Sequence, residues 1–171
     1  MVLEVMQIRM LHEPDAAAWW RLRLAGLESD PLAFGRTAAE HRATPVSATA
    51  ANLAEPHSTT LGAFDDDLLV AMGTYKPELG VSERHKGGIY GVYVAPAHRR
   101  TGLARALMLE LIATARRDPL IEQLRVSVST TQTGATALYR ALDFVSFGIE
   151  PRALKHGDTY VDEEHLLLRL R

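Results

Sequence analysis

The chain has no cysteine among its 171 residues. That excludes a disulfide framework, a thiol nucleophile and a thiolate-ligated metal. It also lacks a strong charge of either sign: the formal net charge is −2 and the pI about 6.4. Broad nucleic-acid binding normally needs a basic surface, so no nucleic-acid partner is expected. No apolar run approaches the roughly 20 residues of a membrane span, so no membrane partner is expected either. The N-terminal MVLEVMQIRM carries Glu4 and no small-residue cleavage site, and is not read as a signal peptide. A reducing, cytoplasmic setting is the expectation. The seven histidines show no metal-site spacing, and Asp65-Asp66-Asp67 lack the alternation of a calcium loop. A solvated turn is expected there, and no bound metal.

What is present is ample apolar content, 47% of the chain, enough for one domain over 1–171 that buries about two-thirds of its surface. The chain is organised around 88–117. Ile89, Tyr90, Val92, Tyr93 and Val94 are β-branched or aromatic and read as a strand, interrupted only by Gly91. Pro96 stops it, since proline has no N–H to donate to a ladder. After the polar turn His98-Arg99-Arg100-Thr101-Gly102, leucines at 103, 107 and 111 recur at helical spacing, as do Ala104, Met108 and Ile112. Only Arg105 and Glu110 interrupt this helix, so burial on more than one side is expected.

A strand, a glycine turn and a helix start form a natural anion site. The first amides of a helix have no intrahelical acceptor, and its dipole favours negative charge there. Gly102 lets the backbone approach a ligand, Ala104 does not obstruct it, and Arg99 and Arg100 add positive charge. An ordinary strand–turn–helix corner with solvated arginines fits the same residues equally well. There is no Lys-Ser/Thr pair of a Walker loop and no triple glycine of a Rossmann fingerprint.

Arg99-Arg100-Thr101-Gly102-Leu103-Ala104 resembles the Arg/Gln-x-x-Gly-x-Gly/Ala signature of the GNAT acyltransferase superfamily, and Val92-Tyr93-Val94-Ala95-Pro96 resembles that family's strand 4. The resemblance implies a mixed α/β fold: a central sheet of about six to seven strands, about four helices, and a splay between strands 4 and 5. It implies acetyl-CoA as acyl donor, with its pyrophosphate on the turn from Arg99 through Arg100, Thr101, Gly102, Leu103 and Ala104 to Arg105. The backbone of Val92, Tyr93 and Val94 would hold the acyl carbonyl and pantetheine.

A second segment, Gln132-Thr133-Gly134-Ala135-Thr136-Ala137-Leu138-Tyr139, resembles the family's Asn-x-x-Ala-x-x-Leu-Tyr pattern. Ala135, Leu138, Tyr139 and Phe144 match. Gln132 replaces the asparagine but keeps an amide that can contact the cofactor, and Asp143 replaces a glycine in the turn. Tyr139 is then the candidate general acid for the departing thiolate, the alternative being a tyrosine packed on the sheet. Some relatives carry a strand-4 glutamate where Tyr90 stands here, so the base is open between a water relay and Glu150, His156 or Ser127. His98 is read as a turn residue.

The remaining chain follows the family's order. Met6–Leu11 reads as a strand, and a helix from Asp15 to about Leu27 should bury Ala17, Trp20, Leu24 and Leu27, with Arg21, Arg23 and Glu28 outward. Trp19 and Trp20 are adjacent and cannot share a face; they fill the core or wall an acceptor pocket. Phe34 either plugs the core or borders the acceptor. A second helix is expected from Pro45 to Leu53, and a hairpin over Thr59–Phe64 and Leu68–Tyr75. A strand is expected over Phe144–Ile149, a loop over Pro151–Asp162, and a last strand over Glu163–Leu170. The consecutive leucines 166–168 offer an apolar surface for a homodimer or mark a strand paired on both sides. Two functions are in view: transfer of acetyl to a small-molecule or peptide primary amine by direct attack, and a non-catalytic acyl-CoA sensor or interaction module with the same fold.

Overall fold

The structure is a computed structural model and describes residues 6–171, so the N-terminal stretch read against a signal peptide lies mostly outside it. Five helices and seven strands form in the order β1 (Gln7–Met10), α1 (Ala16–Ser29), α2 (Ala38–Arg42), α3 (Val46–Leu53), β2 (Thr59–Asp65), β3 (Leu68–Pro77), β4 (Lys86–Val94), α4 (Leu103–Arg117), β5 (Gln123–Ser129), α5 (Thr133–Ala141), β6 (Val145–His156) and β7 (Thr159–Arg169). The strands make one sheet ordered β1-β2-β3-β4-β5-β7-β6. Every pairing is antiparallel except β4 with β5.

Two cores lie on opposite faces of the sheet. On one, α4 and α5 cover β2–β5, and Leu107, Met108 and Leu111 are wholly buried. Each such side chain contributes about 1.5–3 kcal/mol by leaving water. Arg105, Ala106, Leu109 and Glu110 face solvent, so α4 buries one side, the one turned to the sheet, and not several. On the other face, α1 and α3 cover Phe64, Leu69, Met72 and Tyr93. The backbone of Gly62 comes close to this second layer. A Cβ there would lie 2.5 Å from Leu69 Cδ1 and 2.7 Å from Leu11 Cδ2. Gly62→Ala is therefore expected to cost about 1–3 kcal/mol, seen as a melting temperature lower by about 2–4 °C per kcal/mol; an unchanged melting curve would refute this packing.

Several expectations need correction. The buried stripe of α1 is Ala16, Leu22, Gly26 and Leu27, while Ala17 is exposed and Trp20 and Leu24 are half-buried. The stripe is rotated from the expected one, and Arg23 turns inward as a result. Helix α2 falls where none was expected, opened by a capping box in which Thr37 Oγ1 accepts from Glu40 N and Glu40 accepts from Thr37 N. The expected loop 151–162 is most of a long β6–β7 hairpin. A bulge between Glu150 and Leu154 absorbs Pro151, and Arg152 sits there at φ 57 with its amide donating to Asp162. β7 lies between β5 and β6 with Leu166 and Leu168 buried and Leu167 half-buried, so the run is that of a strand paired on both sides.

Candidate active site

The site begins where β4 and β5 stop pairing. Only Lys86, Gly87 and Gly88 pair with β5, against Gln123, Leu124 and Arg125. Beyond Gly88 the two strands part, and their facing backbone groups have no ladder partner. A bulge in β4 accompanies the parting: Met72 faces Tyr93 and Thr74 faces Tyr90, so Gly91 and Val92 share one opposing residue, Gly73. Gly91 takes φ +61, left-handed backbone that residues with a Cβ rarely adopt.

The chain leaves β4 through the one-turn helix Pro96–His98 and then forms a tight turn, with Arg100 at φ 62 and Gly102 at φ 84. Gly102 is the N-cap of α4, its carbonyl accepting from Ala106 N. Among the described residues, no acceptor takes the amides of Arg100, Thr101 or Gly102. A Cβ on Gly102 would meet nothing within 4 Å. With the first amides of α4 these make an open row of donors. Arg100 and Arg105 are exposed beside it. Arg99 is not. Its Nε donates to Val94 O (3.0 Å) and its Nη2 to Asp30 Oδ2 (2.8 Å), tying the end of β4 to the end of α1. Burial works to raise the Asp30 carboxyl, but the Arg99 and Ser29 hydrogen bonds outweigh it and hold the carboxyl below its usual range. The signature arginine is thus a brace, not a free cation in the turn.

Val92, Val94, Leu103, Ala104, Ala135 and Tyr139 meet in the α4–α5 core. The side chain of Tyr93 points to the other face, against Gly26 and Phe34, with its hydroxyl 3.1 Å from Ser29 Oγ, so only its backbone fronts the parting strands. Gln132 is the N-cap residue of α5 and is half-buried. Tyr139 is buried, tilted against Phe144 at 5.9 Å, and its hydroxyl bonds to no group of the described residues. Burial pushes that hydroxyl up to about 12, which keeps it protonated throughout the ordinary pH range. Asp143 takes the left-handed turn, φ 66, in place of glycine.

Two cavities flank the exposed Tyr90, which stands on the wall of both. One, of about 190 Å³, is lined by Tyr90, Arg125, Ser127, Phe147 and His165. His165 Nδ1 lies 2.8 Å from Ser127 Oγ and its Nε2 lies 3.3 Å from Glu150. A carboxylate only accepts, so Nε2 carries the proton and Nδ1 accepts from the serine hydroxyl. This Ser127–His165–Glu150 chain joins two of the expected base candidates through a histidine the sequence did not single out. Its only signal was spacing, His165 being two residues beyond Glu163 on an alternating strand. Glu163 also comes within 4.8 Å of this group. His156 lies at the far end of β6, by the hairpin turn, and His98 binds Asp65 at 2.9 Å as a turn residue. The other cavity, of about 440 Å³, runs beneath α1 and α3 and ends at Gly91.

A mixed sheet that parts beside a donor-rich helix start is the arrangement expected of an acyl-CoA-dependent transferase. The model of the acetyltransferase (GNAT) family matches residues 21–144, and the chain belongs to that family. It is an acyltransferase, and the family's acyl donor is acetyl-CoA. No curated protein matches in sequence. Among solved structures, the GNAT-family acetyltransferase of Streptococcus pneumoniae superposes with a TM-score of 0.87 at 20% identity, over 96% of this chain and 99% of that one. The putative acetyltransferase yncA of Salmonella typhimurium, solved with acetyl-CoA, gives 0.84 at 20% identity over 97% and 94%. A ribosomal-protein-alanine N-acetyltransferase from Brucella melitensis gives 0.80 at 22% over 96% and 99%. These likenesses establish the fold. No helix among the described residues is long and apolar enough to cross a membrane.

Proposed function

We propose that the chain moves an acetyl group from acetyl-CoA to a primary amine by direct attack in a ternary complex. The observation that carries this reading is the parting of β4 from β5 after three residue pairs, beside a turn whose amides are free. Acetyl-CoA supplies a thioester, already activated for acyl transfer. The amides of Arg100 to Arg105, with the Arg100 and Arg105 charges, would hold its pyrophosphate. The backbone of Val92 to Val94, freed on its β5 side, would hold pantetheine and donate to the acyl carbonyl, where fixed amides stabilise developing negative charge. Ala135 and Gln132 would line the same channel. Tyr139 would protonate the departing thiolate, since its side chain is buried and its hydroxyl is neutral and without a partner among the described residues.

The amine must lose a proton, and β4 carries no carboxylate. Ser127 and His165, backed by Glu150, line the same gap as Tyr90 and would supply an acceptor for it. His165→Gln keeps a polar side chain but cannot take up a proton. Its turnover, measured by thiol release, is expected to fall by about 10²-fold with acetyl-CoA affinity unchanged. Full turnover in that variant would assign the proton to another route.

A further inference from the structure

Arg23 has no counter-ion among the described residues. Its guanidinium lies 4.3 Å over the Phe34 ring, its Nη1 is buried without a hydrogen-bond partner, and it joins no ion pair among the described residues. Burial, helped by the nearby Arg36 charge, pulls it down to about 10. Leaving a buried charge unpaired costs several kcal/mol or a shifted pKa, so such a group ordinarily has a partner. None is found in the cavity it lines. The walls of that 440 Å³ space include Trp19, Leu53, Thr49, Asn52 and Lys76, a second cation, but no carboxylate. The cavity is cationic, with hydroxyls and an amide to orient a polar ligand and an apolar wall beside them. It also ends at the reacting strand, since a Cβ built on Gly91 would lie 3.5 Å from Arg23 Nη1.

We infer that the acceptor is a small amine that also bears a carboxylate, of α-amino acid type, with the carboxylate paired to Arg23 and the amine directed to the β4 bulge. A carboxylate and an amine on one carbon match the short span from Arg23 to Gly91. Arginine can take both carboxylate oxygens at once. The inference rests on the acetyl-transfer reading for its reaction, but the pocket can be tested without turnover.

Two matched sets serve as probes: leucine, leucinamide and 3-methylbutylamine, and phenylalanine, phenylalaninamide and phenethylamine. Each set keeps one side chain and one amine while the carboxylate becomes an amide and then disappears. In wild type, kcat/KM for at least one amino acid is expected to exceed that of its amide and its decarboxylated amine by about 10- to 100-fold, the worth of one charge-assisted pair. Arg23→Gln should bring that ratio close to one, and Arg23→Lys should restore part of it. Because Arg23 joins no ion pair among the described residues, Arg23→Gln should lose only the Phe34 contact and melt close to wild type. Equal rates within both sets, or a variant that melts lower and loses all amines alike, would overturn the inference and leave acetyl transfer standing. Calorimetry of the amino acids with CoA present separates the other failure. Arg23-dependent binding without turnover on any amine would keep the pocket and overturn acetyl transfer. Should Arg23→Gln not fold, the wild-type ratios and Arg23→Lys decide.

Discussion

Turnover of Tyr139→Phe is expected to fall by about 10²- to 10⁴-fold, the usual worth of a positioned acid. Acetyl-CoA affinity should barely move, because the ring stays and continues to pack against Phe144. Stability should also hold. The hydroxyl has no partner within the described residues, so removing it breaks no internal hydrogen bond, a loss that would otherwise cost about 0.5–1.5 kcal/mol. A structural tyrosine would give the opposite pattern, a lower melting temperature with normal turnover. Burial sets the alkaline behaviour too. With the hydroxyl raised to about 12, Tyr139 keeps its proton far above neutrality, so no alkaline loss of kcat below that pH should disappear in the Phe variant. A loss confined to KM would mean uniform binding and no chemical role. Full turnover on an amine that wild type acetylates would remove Tyr139 from the chemistry.

Gly102→Glu is expected to abolish acetyl-CoA binding while leaving the fold in place. Two effects separate here. The left-handed backbone at φ 84 makes any residue with a Cβ strained, by about 1–2 kcal/mol. The Cβ itself meets only open space, so nothing clashes in the free protein. Gly102→Ala carries the strain alone and should lower the melting temperature by a few degrees with modest loss of affinity. Gly102→Glu adds an anion beside the free amides of Arg100 to Gly102, where the pyrophosphate would lie. Calorimetry in which the glutamate variant binds acetyl-CoA like the alanine variant would show that the turn is not the phosphate site.

The central strand, the turn and its helix were legible because their signals are local. Pro96 and Gly102 punctuate the chain, and the leucine spacing of α4 is regular. Helix α2 went unread although Thr37 and Glu40 have the spacing of a capping box, because a helix of five residues leaves no periodic pattern. What sequence could not give was orientation. Arg23 and Arg99 are both arginines at element boundaries or faces, the expected places for solvated charge. Arg99 instead braces Asp30, and Arg23 enters a cavity, because a rotation of the buried stripe of α1 depends on which residues β4 presents to it. The β6–β7 hairpin hid behind Pro151 and the charged run around it. A bulge lets a proline sit within a strand pair, and pairing across that bulge is what brings Glu150 to His165.

The most direct test mixes the protein with acetyl-CoA and the matched amine sets, and follows free CoA thiol alongside the mass of the amine. One thiol should be released per acetylated amine, with the protein itself unmodified, since no cysteine is present to carry an acyl group. Tight acetyl-CoA binding with no thiol release on any amine would contradict it and identify an acyl-CoA-binding module on an acyltransferase fold.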